Sequence, residues 1–253
     1  MRALLPDPAE DVDVHDWYAR DWLEPGGLRV DFVCSVDGAA TSSGASEGLQ
    51  TPGDNRVFAA MRDLADVVLA GAGTIRTEGY GPIRLSDQRT AIRNRYGLAD
   101  TLPTALVSRS LRLDPTAALF TAAEARTIVL TCAAADPAVR AALEHVADVV
   151  LCGDDEVDLA AARLALEERG LTRILCEGGP TLFADLARAR VADELCLSIT
   201  PILVGPGERR IVGGPAWPGD TRPLTLTALL EEDGALFARY RLRPATTDET
   251  LGR

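Results

Sequence analysis

Short apolar runs that stop at a glycine or a hydroxyl residue and then give way to a helical stretch constrain this chain more than any other feature. Asp66-Val67-Val68-Leu69-Ala70 ends at Gly71, and Ile174-Leu175-Cys176 runs into Glu177-Gly178-Gly179-Pro180 ahead of a helical pattern through Arg188. Residues 103–108, 127–131 and 146–152 are runs of the same kind. Residues 137–143 and 159–168 read as helices, the first opened by Asp136-Pro137 and the second closed by Gly170. Strand-length runs alternating with helices predict parallel strands joined by crossovers, with helices on both faces of the sheet.

The remaining segments fit that scheme. Residues 28–34 alternate with period two before turning apolar, as a strand entering a core does. Thr51-Pro52-Gly53-Asp54 reads as a helix start, with a hydroxyl cap, proline in first position and an acid in third. Val57, Phe58, Met61, Leu64 and Ala65 then recur at helical spacing. Residues 195–204 form a further strand, and residues 224–230 and 236–242, separated by Glu231-Glu232-Asp233-Gly234-Ala235, an antiparallel hairpin. The prediction is one α/β domain over residues 28–253, a three-layer α/β/α sandwich with a mostly parallel central sheet and a C-terminal antiparallel hairpin. Residues 1–27 are expected as an extension that packs on it through Trp17, Tyr18 and Trp22. Residues 75–101, polar and rich in arginine, are expected to be an irregular loop that carries function.

Composition narrows the partners. Asp and Glu outnumber Lys and Arg by 38 to 26, for a formal charge of −12. That opposes binding to nucleic acid or to an anionic membrane. Met1-Arg2-Ala3-Leu4-Leu5 is cut off by Pro6, so no secretory leader is expected. Cys34, Cys132, Cys152, Cys176 and Cys196 are an odd number of separated thiols mostly set in aliphatic runs, which fits a reducing cytoplasm. With two histidines and no clustered thiols, a zinc site is excluded.

Two motifs offer chemistry and fail on context. Gly44-Ala45-Ser46-Glu47-Gly48 is a literal G-x-S-x-G, but a nucleophile elbow needs a strand directly before it and a helix directly after. Neither G-x-G-x-x-G nor a P-loop occurs. The productive signal is a pair of strand ends followed by small residues and a helix start, at Gly71-Ala72-Gly73-Thr74 and at Gly178-Gly179-Pro180-Thr181-Leu182. Missing Cβ atoms admit a ligand to the backbone, and amide N–H groups at a helix start favour anions. Either could be an ordinary tight turn; two together suggest a dinucleotide lying across the strand ends. Ser108-Arg109, closing another strand, offers a hydroxyl and a fixed cation suited to a ribose 2′-phosphate, which favours NADP over NAD.

Taken in order, Ser35-Val36-Asp37-Gly38, Gly71-Ala72-Gly73-Thr74, Glu177-Gly178-Gly179-Pro180-Thr181-Leu182 and Ile199-Thr200-Pro201-Ile202-Leu203-Val204-Gly205 resemble the reductase domains of riboflavin biosynthesis, over roughly residues 28–243. The resemblance implies a dihydrofolate reductase-like fold, a homodimer through the terminal strands, and NADPH-dependent reduction of a ribosylaminopyrimidine phosphate to its ribitylamino counterpart. It implies dinucleotide binding by Gly71, Gly73, Thr74 and Gly178, Gly179, Pro180, Thr181 and Leu182, with Ser108 and Arg109 at the adenosine phosphate. It places Asp37 and Glu177 at the reacting sugar or the pyrimidine, and Ser35, Glu78 and Tyr80 at the substrate. For Asp37 the residues alone also allow a plain turn before Gly38.

Three departures qualify the resemblance. The H-x-E and P-C-x-x-C signatures of the deaminase half are missing, which predicts a stand-alone reductase. Gly48-Leu49-Gln50 stands where such domains often carry a tryptophan, and Glu78-Gly79-Tyr80-Gly81-Pro82-Ile83 replaces their Asp-Asp-Pro-x-Leu-Thr segment. That second change bears on substrate more than on cofactor. It keeps open a related reductase of another planar heterocycle, pterin-like substrates such as dihydrofolate included, and a nucleotide-binding protein that has lost the reaction.

Overall fold

The computed structural model describes residues 1–24, 26–216 and 221–242. Pro25 and residues 243–253, which the sequence assigns to the extension and the domain, lie outside them. In chain order the elements are β1 (Arg2–Leu5), α1 (Val14–Ala19), β2 (Gly27–Ser35), α2 (Pro52–Leu64), β3 (Val67–Gly71), α3 (Ala72–Glu78), α4 (Asp87–Arg95), β4 (Thr104–Val107), α5 (Ala118–Thr121), β5 (Ile128–Thr131), α6 (Pro137–Glu144), β6 (Asp148–Leu151), α7 (Leu159–Glu167), β7 (Arg173–Cys176), α8 (Pro180–Arg188), β8 (Glu194–Thr200), β9 (Thr225–Glu232) and β10 (Ala235–Arg241). Capping explains several boundaries. Thr51 accepts the Asp54 amide at 3.1 Å ahead of α2, and Asp136 and Asp158 each accept an amide at 2.8 Å ahead of α6 and α7.

The strands form one ten-stranded sheet in the order β1-β9-β10-β8-β2-β7-β3-β4-β5-β6. From β8 to β6 every pairing is parallel, and from β8 to β1 every pairing is antiparallel. This is the mostly parallel α/β architecture with a terminal hairpin that the sequence predicts. Strand alternation builds the layers. Val67, Leu69, Ile174 and Cys176 point to one face, against Leu166 of α7 and Phe183 of α8. Val68 and Leu175 turn to the other and meet Val57, Met61 and Leu64 of α2. Leu106 and Val129 continue that second face against Leu143 of α6.

Residues 75–101 depart from expectation, because they contain the end of α3 and the whole of α4 rather than one irregular loop. The physical reason is that α4 docks without an apolar stripe. Its fully buried Arg93 donates instead to the carbonyls of Arg62, Asp63, Ala65, Ala99 and Thr101. A helix held by an arginine gives no hydrophobic period to read. Strand β8 is also shorter than expected, since Pro201 has no N–H for the ladder.

The N-terminal residues are part of the sheet. β1 pairs with β9, and Trp17, Tyr18 and Trp22 are buried. Arg29 of β2 ties them down: it donates to the Tyr18 carbonyl at 2.6 Å and stacks 4.5 Å from the Trp22 ring centroid. Its charge is met by Glu194, which lies 2.6 Å from Arg29 and 3.0 Å from Arg239. Burial alone would raise the Glu194 carboxyl, but the two guanidinium groups outweigh it and hold the group below its ordinary value. Glu194→Gln leaves two buried cations facing a neutral amide, and should destabilise the fold by about 3–5 kcal/mol. Urea unfolding checks this; a loss below about 1 kcal/mol would show that the arginines are satisfied by backbone carbonyls alone.

Candidate active site

Strand β7 is formed late in the chain yet lies between β2 and β3. Its insertion brings together the two glycine turns that the sequence marks. The Gly71 amide donates to the Gly178 carbonyl, and the Glu177 amide to the Leu69 carbonyl, each at 2.9 Å. The Gly178–Gly179 peptide bond is cis. A Cβ at Gly179 would sit 2.5 Å from Thr74 Oγ1, so only glycine lets the two turns approach this closely. Gly71 and Gly179 are the N-caps of α3 and α8, and neither helix start carries a side-chain cap. Their first-turn amides are therefore donors for an anion. A Cβ at Gly73 would meet nothing within 4 Å, so the start of α3 is open to a ligand. These features fit a dinucleotide phosphate group.

A cleft of about 490 Å³ lies along this edge. Gly71, Gly73, Thr74, Gly179, Pro180, Thr181 and Leu182 line one side. Facing them, Asp54, Phe58 and Arg62 form a stripe on α2, each one turn from the next. Strand β2 supplies Asp31, and the first residue after β7 is Glu177. Val30 pairs with Cys176 in parallel register, so the next residues, Asp31 and Glu177, sit side by side. Asp31 also pairs with Cys196, whose side chain belongs to the cluster under α2.

Arg62 and Glu177 hold the centre. Arg62 Nε donates to Glu177 Oε1 at 2.6 Å and Nη2 to Oε2 at 2.7 Å. The Tyr80 hydroxyl donates to Oε2 at 2.6 Å, and the guanidinium lies 4.4 Å from the Phe58 ring centroid. Burial would lower Arg62, but hydrogen bonding and charge from Glu177 prevail and raise it above its ordinary value. Burial, reinforced by the Glu177 carboxylate, pushes the Tyr80 phenol up. Asp31 is half-buried in the cleft wall. Burial, with the carboxylates of Asp54 and Glu177 adding to it, pushes its carboxyl well above the ordinary range. Asp54 is raised by burial and eased back by a hydrogen bond with Ser198. Beside the cleft, the turn after Tyr80 covers a second hollow of about 290 Å³ lined by Arg62, Arg84 and Arg89. Arg89 Nε bonds Asp63 at 2.6 Å, while its Nη2 is buried without a hydrogen-bond partner.

The residues marked from sequence divide. Glu177, Glu78 and Tyr80 line the cleft with both glycine turns, and Gly178 contributes the carbonyl that joins them. Ser35 and Asp37 do not line it. The Ser35 hydroxyl donates to Asp37, and Asp37 accepts the amides of Val204 at 3.3 Å and Gly205 at 2.7 Å. The Ser-x-Asp-Gly stretch is thus bonded to the loop after β8, which explains why those two motifs occur together. Ser108 and Arg109 also lie away from the cleft lining. Ser108 is buried and accepts the Leu111 amide, and exposed Arg109 pairs with Glu156 at 2.8 Å.

Sequence reasoning missed Asp31, Asp54 and Arg62. The signal for Asp54 and Arg62 was their spacing through Phe58 on a capped helix, a polar-aromatic stripe beside the apolar one. Asp31 stands in an alternating strand, where a carboxylate reads as a solvent-facing residue.

The profile of the RibD C-terminal domain matches residues 27–230. This chain belongs to the RibD C-terminal domain family. Among its relatives, the 2,5-diamino-6-ribosylamino-4(3H)-pyrimidinone 5′-phosphate reductase of Archaeoglobus fulgidus is 25% identical over 177 residues, covering 70% of this chain and 80% of that one. The protein of the same name from Aquifex aeolicus is 28% identical over 192 residues, covering 71% and 79%. The crystal structure of a pyrimidine reductase-like protein from Corynebacterium diphtheriae superposes with a TM-score of 0.79 at 26% identity, covering 91% of this chain and 98% of that one. The RibD family match begins where β2 begins, so β1 and α1 precede it.

Asp37 generates a pH prediction. The Ser35 hydroxyl, then the Gly205 and Val204 amides, hold its carboxyl at about 2, below the ordinary 3.8. A depressed carboxyl stabilises the fold above its ordinary value, and that contribution is lost as pH falls through about 2. Asp37→Asn should lower the melting temperature at neutral pH, with the difference from the parent closing toward pH about 2. Calorimetry over that range checks it, and equal melting at neutral pH would show that the turn does not need the carboxylate.

Proposed function

We propose that this chain is an NADPH-dependent reductase of riboflavin biosynthesis that converts a ribosylaminopyrimidine 5′-phosphate to its ribitylamino counterpart. One observation carries the reading: two glycine-capped helix starts without side-chain caps face the Arg62–Glu177–Tyr80 cluster across a single cleft. A reductase needs one site for an anionic cofactor beside another for a polar heterocycle. The names of the relatives point to the same substrate class.

The nicotinamide cofactor supplies the hydride. Around it, the amides of Gly73, Thr74, Thr181 and Leu182, with Gly71, Gly178, Gly179 and Pro180 shaping the turns, bind the dinucleotide phosphates. Ser108 and Arg109, at the end of the strand beside β3, take the adenosine 2′-phosphate. The Arg109–Glu156 pair is exposed on both sides and correspondingly weak, so a phosphate dianion displaces Glu156. On the substrate side, Glu177 accepts ring or sugar donors, Tyr80 and Glu78 line the entrance, and Arg62, Arg84 and Arg89 meet the 5′-phosphate. The buried, unpartnered Nη2 of Arg89 supports that last assignment. Ser35 and Asp37 shape the neighbouring turn. A cytoplasmic location agrees with five free, buried cysteines. A homodimer through the terminal strands would cover Leu224 and Leu226, exposed at the start of β9.

The test is NADPH oxidation, followed by nicotinamide absorbance, with the ribosylaminopyrimidine phosphate and dihydrofolate offered side by side. Turnover of the pyrimidine alone is expected; turnover of dihydrofolate alone would overturn the substrate assignment. Arg84→Ala should raise KM for the phosphorylated pyrimidine about tenfold with little change in kcat, the loss of one charge-assisted hydrogen bond. Arg109→Ala should weaken NADPH about tenfold and leave NADH nearly unchanged in titrations of cofactor fluorescence. Equal losses for both cofactors would remove Arg109 from the 2′-phosphate.

A further inference from the structure

The cleft contains charge in abundance but few groups able to deliver a proton. The chain has no lysine, and its two histidines, His15 and His145, are not in the cleft wall. Arg62 stays charged at any working pH, and the Tyr80 phenol is pushed up by burial. Glu177 already accepts on both oxygens, from Arg62 and Tyr80. Among the carboxyl groups, Glu78 lies at the exposed rim, which leaves Asp31 and Asp54 inside.

These two are unequal. Asp54 sits in the first turn of α2, where unpaired amides favour a negative charge, and it shares a hydrogen bond with Ser198. Asp31 has no helix start behind it and comes from the middle of a parallel strand. On the α2 face of the sheet, the groups that act on Asp31 are Asp54 and Arg62 from α2, Glu177 after β7, Cys196 from β8, Tyr18 from α1 and Tyr80 from the turn after α3; Cys176 acts on it from the opposite face. Arg62 is the single cation in this set, and its Nε and Nη2 are committed to Glu177. Two carboxyl groups that share a low-dielectric site without a cation of their own keep one proton between them. The helix start draws the charge to Asp54 and leaves the proton on Asp31.

We propose that Asp31 is the proton donor of this cleft, and that Asp54 is the positioning carboxylate that keeps the proton on it. The inference rests on the reductase reading given above. In that reaction the amine nitrogen pushes its lone pair toward C1′, the bond from C1′ to the ring oxygen breaks, and the departing oxygen takes the proton from Asp31. Hydride then reduces the resulting carbon–nitrogen double bond, and solvent returns a proton to Asp31. One hydride and one proton are consumed for each sugar opened, so the step balances. The shared cleft wall of Asp31 and Asp54, and the register that sets Asp31 beside Glu177, support this role, and the upward push on the Asp31 carboxyl from burial and its carboxylate neighbours agrees with it.

The experiment titrates the aspartate carboxyl carbons of the full chain by NMR without substrate, Asp31→Asn identifying the resonance, and runs kcat against pH in parallel. Asp31 should titrate far above the ordinary aspartate range near 3.9, and Asp54→Asn should move that titration and the basic limb of kcat toward acid together. Asp31→Asn should retain cofactor affinity while kcat falls by about a hundredfold or more and loses its basic limb. It should also melt above the parent at alkaline pH. A raised folded value means stability present at low pH and lost as pH rises through it, and the amide removes that loss. Ordinary titration of Asp31, or an unchanged kcat profile in Asp54→Asn, overturns the proposal. Because the NMR titration needs no substrate, a chain that holds the proton but leaves the pyrimidine unreduced refutes the substrate reading and not the proton-holding pair.

Discussion

The position of β7 governs the rest of the molecule. A strand made after α7 has to enter a sheet whose β2 and β3 were laid down far earlier in the chain, and it does so between them. Parallel pairing then forces the ends of β2, β7 and β3 to open on the same edge. The glycine turn after β7 must pass the one after β3 with 2.9 Å between Gly71 N and Gly178 O. Any side chain at Gly179 would meet Thr74. Two helix starts therefore converge on one strip of surface, the crevice that open α/β sheets provide where strand order reverses. Neither turn could build this strip by itself.

The same insertion fixes the electrostatics. Glu177 is the first residue after β7, so wherever β7 goes a carboxylate arrives beside Asp31 and under α2. Arg62 answers it from the last turn of α2, and Tyr80 closes over both. The cluster thus links a strand end, a helix and the turn after α3, and the turn that carries Tyr80 also roofs the hollow lined by Arg84 and Arg89. A second charge group does comparable work at the opposite end of β2, where Glu194 holds Arg29 and Arg239 beneath the N-terminal residues. Buried arginines recur as anchors, Arg93 fastening α4 in the same way.

What sequence discloses follows from which of these contacts have a period. Capped starts such as Thr51-Pro52 and Asp136-Pro137, and strands bounded by glycine, are local and were legible. So were the two glycine turns, because small residues at two strand ends are a pattern, though the bond that joins Gly71 to Gly178 was not. α4 was not legible, since Arg93 replaces an apolar stripe with carbonyl contacts distant in sequence. Asp31 was hidden for a related reason. Alternation says which face it takes, but only the arrival of β7 and α2 turns that face into a cleft. The Ser-x-Asp-Gly motif was legible as a motif, but not its partners: Asp37 accepts from Ser35, Val204 and Gly205, contacts that only the loop after β8 supplies.

The net charge of −12 bears on how such a site can work. On the proposed reading both ligands are anionic, so the long-range field of the protein opposes their approach. Screening confines that field to about 8 Å at physiological salt, and recognition has to come from groups closer than that. On that reading the cofactor-facing donors are backbone amides at two helix starts, which carry no countercharge, and of the arginines in the cleft wall Arg62 is held by Glu177 while Arg209 is exposed. The Arg62 charge is balanced by Glu177 before any ligand binds. Specificity then depends on where the remaining donors point, and that is set by the two glycine turns that β7 brings together.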